Sequence, residues 1–139
     1  MKAVRSVTSK LVSAGALEAI PTVLWYDDQD PCVVVLEFHS YNDTVSEWHV
    51  SRDVLATVAF SRKPAGEQNF ILRPETFQGM PMALACMRAL DVPDPQGHQH
   101  ILFVNRDLQL FLYDTFDLVP LGDEDYSDQI DAALQQILA

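Results

Sequence analysis

The sequence predicts an α+β fold: an antiparallel sheet with helices grouped to one side or end. Three observations carry this expectation. The run Cys32 to Phe38 (CVVVLEF) holds three consecutive β-branched residues with little alternation, as in a strand covered on both faces. Other runs of strand length are separated by short turn signals, so neighbours should pair antiparallel. The stretches Arg52–Phe60, Asn105–Val119 and Ile130–Leu138 instead place apolar residues at helical spacing.

In chain order, Val4–Ser13 alternates weakly and reads as a strand. Residues 14–19 read as a connector, and Pro21–Tyr26 as a second strand. Asp27-Asp28-Gln29-Asp30-Pro31 is a turn: Asp side chains bond backbone N–H groups two residues on, and Pro31 pushes Asp30 out of the helical region. The buried strand follows, then a polar turn at His39–Asp43. In Thr44–Val50, Val45 and Glu47 lie on one face and Trp48 and Val50 on the other. Ser51 is placed to cap a helix, with Asp53 in its first turn. That helix ends near Phe60, before the basic loop Arg62-Lys63-Pro64-Ala65-Gly66.

Gln68–Arg73 reads as a strand that stops at Pro74, and Glu75–Gly79 as a loop. Met82–Leu90 is rich in helix formers, and its pattern allows either helix or strand. Residues 91–97 form a loop, and His100–Val104 a short strand. Asn105 is placed as an N-cap. Leu108, Phe111, Leu112, Thr115 and Val119 share one helical face, widened by Leu110 and Phe116, that should press on a sheet or a neighbouring subunit. Pro120-Leu121-Gly122 stops this helix. A final one, capped by Asp125 or Ser127, carries Ile130, Ala133, Leu134, Ile137 and Leu138 on one side.

With 139 residues, a single domain spanning 1–139 is expected, large enough for a core without disulfides. Twenty acids against nine bases give a net charge of −11, which disfavours nucleic acid and anionic membranes as partners. No base follows Arg106, whereas eight acids follow between Asp107 and Asp131; they form either a solvated face or a docking surface for a basic partner. Cys32 and Cys86 lie in apolar runs, and no secretory or membrane-spanning segment is evident, so a cytoplasmic protein without membrane insertion is expected.

No enzyme motif is present, and no catalytic residue, cofactor or metal is expected. His98 and His100 would need Asp91 or Asp94 to complete a metal site, and a polar loop entering a strand is the simpler account. Asp27, Asp28 and Asp30 lack the spacing and central glycine of a calcium loop. A buried Cys32 or Cys86 is a poor nucleophile for any Cys–His pair. Trp25 and Trp48, with Arg62 and Lys63, could stack and hold single-stranded nucleic acid; core or interface positions suit an acidic chain better.

Tyr26, Asp27, Asp30 and Pro31, the strand ending in Phe38, the Glu47-Trp48 pair, and Arg52-Asp53 followed by Leu55-Ala56 resemble the SsgA-like proteins. These are the sporulation and cell-division proteins of filamentous actinomycetes. The resemblance covers most of the chain and is most specific before Glu75. It implies a whirly-like fold of β-sheets capped by helices, with a strand at Met82–Leu90, assembled as a homotrimer. It also implies a non-enzymatic role in septation, with the tubulin-like GTPase FtsZ and an SsgA-like paralogue as partners at the cell septum. The motif positions are expected to be structural or interfacial, with Arg52 pairing Glu47 or the Asp27 turn. The alternative reading is a whirly-like binder of single-stranded nucleic acid.

Overall fold

The computed structural model describes residues 1–13, 15–39, 45–88 and 98–123. They form one eight-stranded, wholly antiparallel sheet and two helices. The strands are β1 (Lys2–Ser13), β2 (Ala16–Asp27), β3 (Val33–His39), β4 (Val45–Ser51), β5 (Ala65–Glu67), β6 (Phe70–Phe77), β7 (Met80–Arg88) and β8 (His98–Val104). Their order across the sheet is β4-β3-β2-β1-β8-β7-β6-β5. Helix α1 (Arg52–Ser61) leads from one edge strand, β4, to the other, β5, and α2 (Asn105–Leu118) follows β8. The sheet is nearly closed: the Ser51 N–H at the end of β4 donates to the Glu67 carboxylate on β5.

The inner face of the sheet and the inner sides of both helices share one core. Leu24, Tyr26, Leu36 and Leu72 meet Leu55 and Val58 of α1 and Leu108, Phe111 and Leu112 of α2, all within 1% of complete burial. The wide face foreseen on α2 is therefore spent on the protein's own sheet, and it packs on β1, β7 and β8. On β3, Val35 is buried on the outer face while Val34 and Leu36 are buried on the inner, which is why that strand lacks alternation.

Several expected boundaries move. Of the expected 14–19 connector, Gly15 has φ +80° and β2 already begins at Ala16, while residue 14 lies outside the described residues. Pro21 then lies inside β2, opposite Thr8, but β3 pairs only with Thr22–Tyr26, so no ladder bond toward β3 is lost at Pro21. The same reason carries β6 through Pro74, because β5 pairs only with Phe70–Leu72. The supposed loop Glu75–Gly79 is thus the end of β6 plus a reversal at Gln78-Gly79, both at positive φ. The three-residue β5 occupies what read as the end of the basic loop. Met80–Arg88 is a strand, as the family order implies, although its residues favour a helix; pairing on both sides, with β6 and β8, outweighs local propensity. The expected loop at 91–97 and the expected last helix after Asp125 lie outside the described residues.

Candidate partner-docking surface

The motif residues of the first half meet at the start of α1. The buried Tyr26 phenol donates to the Pro31 carbonyl at 2.9 Å. Asp27 caps the turn as expected, its Oδ1 accepting the Gln29 N–H at 3.0 Å, while its carbonyl accepts the Asp30 N–H. Beside it, the Met1 ammonium, 3.0 Å away, holds the Asp28 carboxyl below its ordinary range. The strand then leaves through Cys32, whose carbonyl accepts the Arg52 N–H. Turn and helix start are therefore one hydrogen-bonded unit.

Arg52 is fully buried, and its guanidinium lies between two rings, 5.1 Å from Tyr26 and 5.2 Å from Phe116. It donates to the carbonyls of Val119 at 2.6 Å, and of Thr115 and Pro120 at 3.4 Å each. These carbonyls lie at the C-terminus of α2, where the helix dipole favours a cation; Thr115 and Pro120 also accept the Val119 and Asp123 N–H groups, at 2.9 and 3.0 Å. The expected partners of Arg52 are corrected accordingly: Glu47 bonds His49, Asp27 bonds Gln29, and the guanidinium clamps α2.

At the other end of the helix pair, Asn105 does not cap α2 as expected. It is the first helical residue, and its Nδ2 donates to the Ala59 carbonyl of α1 at 3.0 Å; Gln109 donates to the same oxygen at 2.9 Å. Ser51 occupies the N-cap position of α1 but makes no side-chain cap bond. The helices thus lie side by side and antiparallel, braced at both ends. Asn105→Ala should lower stability by about 1–2 kcal/mol, because it removes a buried amide bond that water cannot replace. Urea unfolding would measure it, and an unchanged midpoint would contradict the brace.

The outer side of the braced pair carries Phe60 of α1 with Tyr113 and Phe116 of α2. The ring centroids of Phe60 and Tyr113 are 5.3 Å apart, edge to face, and those of Phe60 and Phe116 are 6.0 Å apart. Phe60 is 38% exposed and Tyr113 56%. The cluster borders a cavity of about 740 Å³ whose wall includes Asp53, Thr57 and Leu121.

The remaining expected residues divide between core and surface. Leu55, Ala56 and Phe38 are core. Asp53 is exposed in the first turn of α1, and Glu47 is exposed on β4. Trp48 is half buried beside Gln68 and Phe70 at the seam between β4 and the β5–β6 turn. Trp25 sits under the Lys2 ammonium, and Arg62 is occupied with the Met82 and Glu75 carbonyls. Among the described residues no three His, Cys, Asp or Glu side chains could hold a metal ion. Cys86 lies opposite His100 across β7 and β8, both half buried, with no hydrogen bond between them.

The family model described as Streptomyces sporulation and cell division protein SsgA matches residues 20–124. The chain belongs to the SsgA family. It is 28% identical to the sporulation-specific cell division protein SsgB of Frankia casuarinae over 138 residues, covering 96% of this chain and 92% of that one. It is 30% identical to the SsgB of Streptomyces coelicolor over 129 residues, covering 93% and 89%. A solved structure from work on SsgB mutations and longitudinal cell division during sporulation of S. coelicolor superposes with a TM-score of 0.78 at 26% identity, covering 88% of this chain and 92% of that one. The α+β architecture is thus that of SsgA-like proteins. Among the residues that carry the SsgA-like resemblance, Tyr26, Asp27, Pro31 and Arg52 tie the turn to α1 and α2. Sequence reasoning missed Asn105 as a brace and Phe60 and Tyr113 as surface; the one signal for the latter was two aromatics off the apolar faces of their helices. No described helix is long and apolar enough to cross a membrane.

Proposed function

We propose that this chain acts in sporulation-specific septation as a non-enzymatic protein, helping to recruit or position FtsZ at septum sites through protein contacts. The observation that carries the reading is the exposed aromatic cluster on the braced helix pair, in a chain of the SsgA family. Rigid aromatic side chains held in solvent suit a protein interface, because they bury much area at little entropic cost. An SsgA-like paralogue is a further partner, and the septum is the place of action. The relationship to the whirly-type fold and the homotrimer belong to the same proposal. Support for self-association lies on the outer sheet face, where Leu17, Val12, His100, Cys86 and Ile71 line up across five strands and Ile71 is 53% exposed.

The test is sedimentation and light scattering of the purified protein, alone and with FtsZ of the same source, with single-stranded DNA in parallel. A homo-oligomer that shifts with FtsZ and ignores DNA is expected. An oligomer that takes up DNA and ignores FtsZ would favour the nucleic-acid reading instead; the net charge of −11 stands against that outcome.

A further inference from the structure

Two cavities, not one, flank Phe60. The second, of about 540 Å³, is bordered by Phe60, Met80, Pro81, Asn105, Arg106 and Gln109. Along α2, Arg106, Gln109, Tyr113 and Phe116 recur at three- and four-residue steps and so share one face, which passes from the second cavity to the first. With α1 alongside, the two cavities line up on either side of Phe60 as a groove about 15 Å long, the rise of α2 from Arg106 to Phe116 at 1.5 Å per residue. Its apolar surface is open to solvent, with Met80 51% and Leu121 57% exposed in addition to the rings, and polar side chains such as Thr57, Asn105 and Gln109 complete the walls.

The ends of the groove differ in charge. The first cavity has Asp53 in its wall and no base, and Asp117, one turn beyond Tyr113 along α2, is exposed. The second has Arg62 and Arg106 and no acid. Arg62 is committed to backbone carbonyls, whereas Arg106 is exposed with no partner among the described residues. A groove with this polarity discriminates both the kind of ligand and its direction.

We propose that this groove binds an amphipathic helical segment of a protein partner. The segment seats one large apolar side chain in each cavity, on either side of Phe60. It sets a basic residue over Asp53 and Asp117 at one end and an acidic residue over Arg106 at the other. Helix-in-groove recognition has this form: apolar anchors on one helical face, with charges at the rim fixing the register. The inference rests on the septation reading above, which supplies FtsZ as the first protein to use as probe.

The experiment uses the full chain, with p-benzoylphenylalanine in place of Tyr113 for photocrosslinking to FtsZ of the same source. Alongside it, the FtsZ affinities of Tyr113→Glu, Asp53→Lys and Arg106→Glu are measured. All three positions are exposed, and circular dichroism checks that the variants are folded. The expected result is a crosslink to one segment of FtsZ with an apolar face. Tyr113→Glu should weaken binding about thirty-fold, as for a central interface aromatic. Each charge reversal should weaken it less, mainly through slower association at low salt. If the natural protein binds FtsZ and the three variants bind equally well, the groove assignment is overturned and the septation reading stands. If the natural protein does not bind FtsZ, the reading falls and the inference with it. A crosslink that forms only to a second copy of the chain, or to its own residues 124–139, also overturns the proposal.

Discussion

Arg52→Ala should destabilise the protein by about 3–5 kcal/mol. The substitution takes the Arg52 donor from the Val119 carbonyl, a loss of about 1–3 kcal/mol, while the Thr115 and Pro120 carbonyls keep the Val119 and Asp123 N–H groups. It also empties the space between the Tyr26 and Phe116 rings, where partial collapse recovers only part of the lost packing. The total is less than the sum, because water entering from the exposed Pro120 side can reach the Val119 carbonyl. Arg52→Lys should recover only part of the loss, since an ammonium lacks the planar fork that reaches three carbonyls while stacking on rings. Urea unfolding with tryptophan fluorescence gives the number. A loss below about 1 kcal/mol would mean that the clamp on α2 is not a stabilising contact.

Phe111→Ala should cost a similar amount, about 3–5 kcal/mol, for a different reason. Phe111 is fully buried between α2 and the sheet, and no polar atom is involved. Its loss is one of transfer energy plus an unfilled cavity. Phe111→Leu keeps most of the volume and should cost clearly less. Tyr113→Ala, two residues along the same helix but exposed, should stay within about 1 kcal/mol. The contrast separates the buried face of α2 that holds the fold from its exposed face, the one proposed for docking. Comparable losses at Phe111 and Tyr113 would contradict that division.

What the sequence disclosed and what it hid follow from how local each cause is. The Asp27–Pro31 turn was legible because its bonds close within five residues. The doubly covered β3 and the apolar face of α2 were legible because burial leaves a period in the sequence. Pro21 and Pro74 misled because a proline ends a strand only where a neighbouring strand needs its N–H, and at both sites that neighbour has already stopped. At Met80–Arg88, helix-forming residues are overruled by two flanking strands that no window of that length contains. The partners of Arg52 lie 63–68 residues further along the chain, so a nearby carboxylate was the natural guess and helix-end carbonyls the answer. Family membership was legible from residues whose physical task was not. Tyr26, Pro31 and Arg52 among them hold turn, α1 and α2 together, and the aromatic surface on the helix pair is built from other side chains.

On the proposed function, the braced helix pair is the face this SsgA-family protein would turn toward a septation partner. Hydrogen exchange of the full chain, with and without FtsZ of the same source, tests it most directly. The account predicts added protection in α1 (Arg52–Ser61) and α2 (Asn105–Leu118), with β1 and β2 unchanged. Added protection confined to the sheet, or no change anywhere, would contradict it.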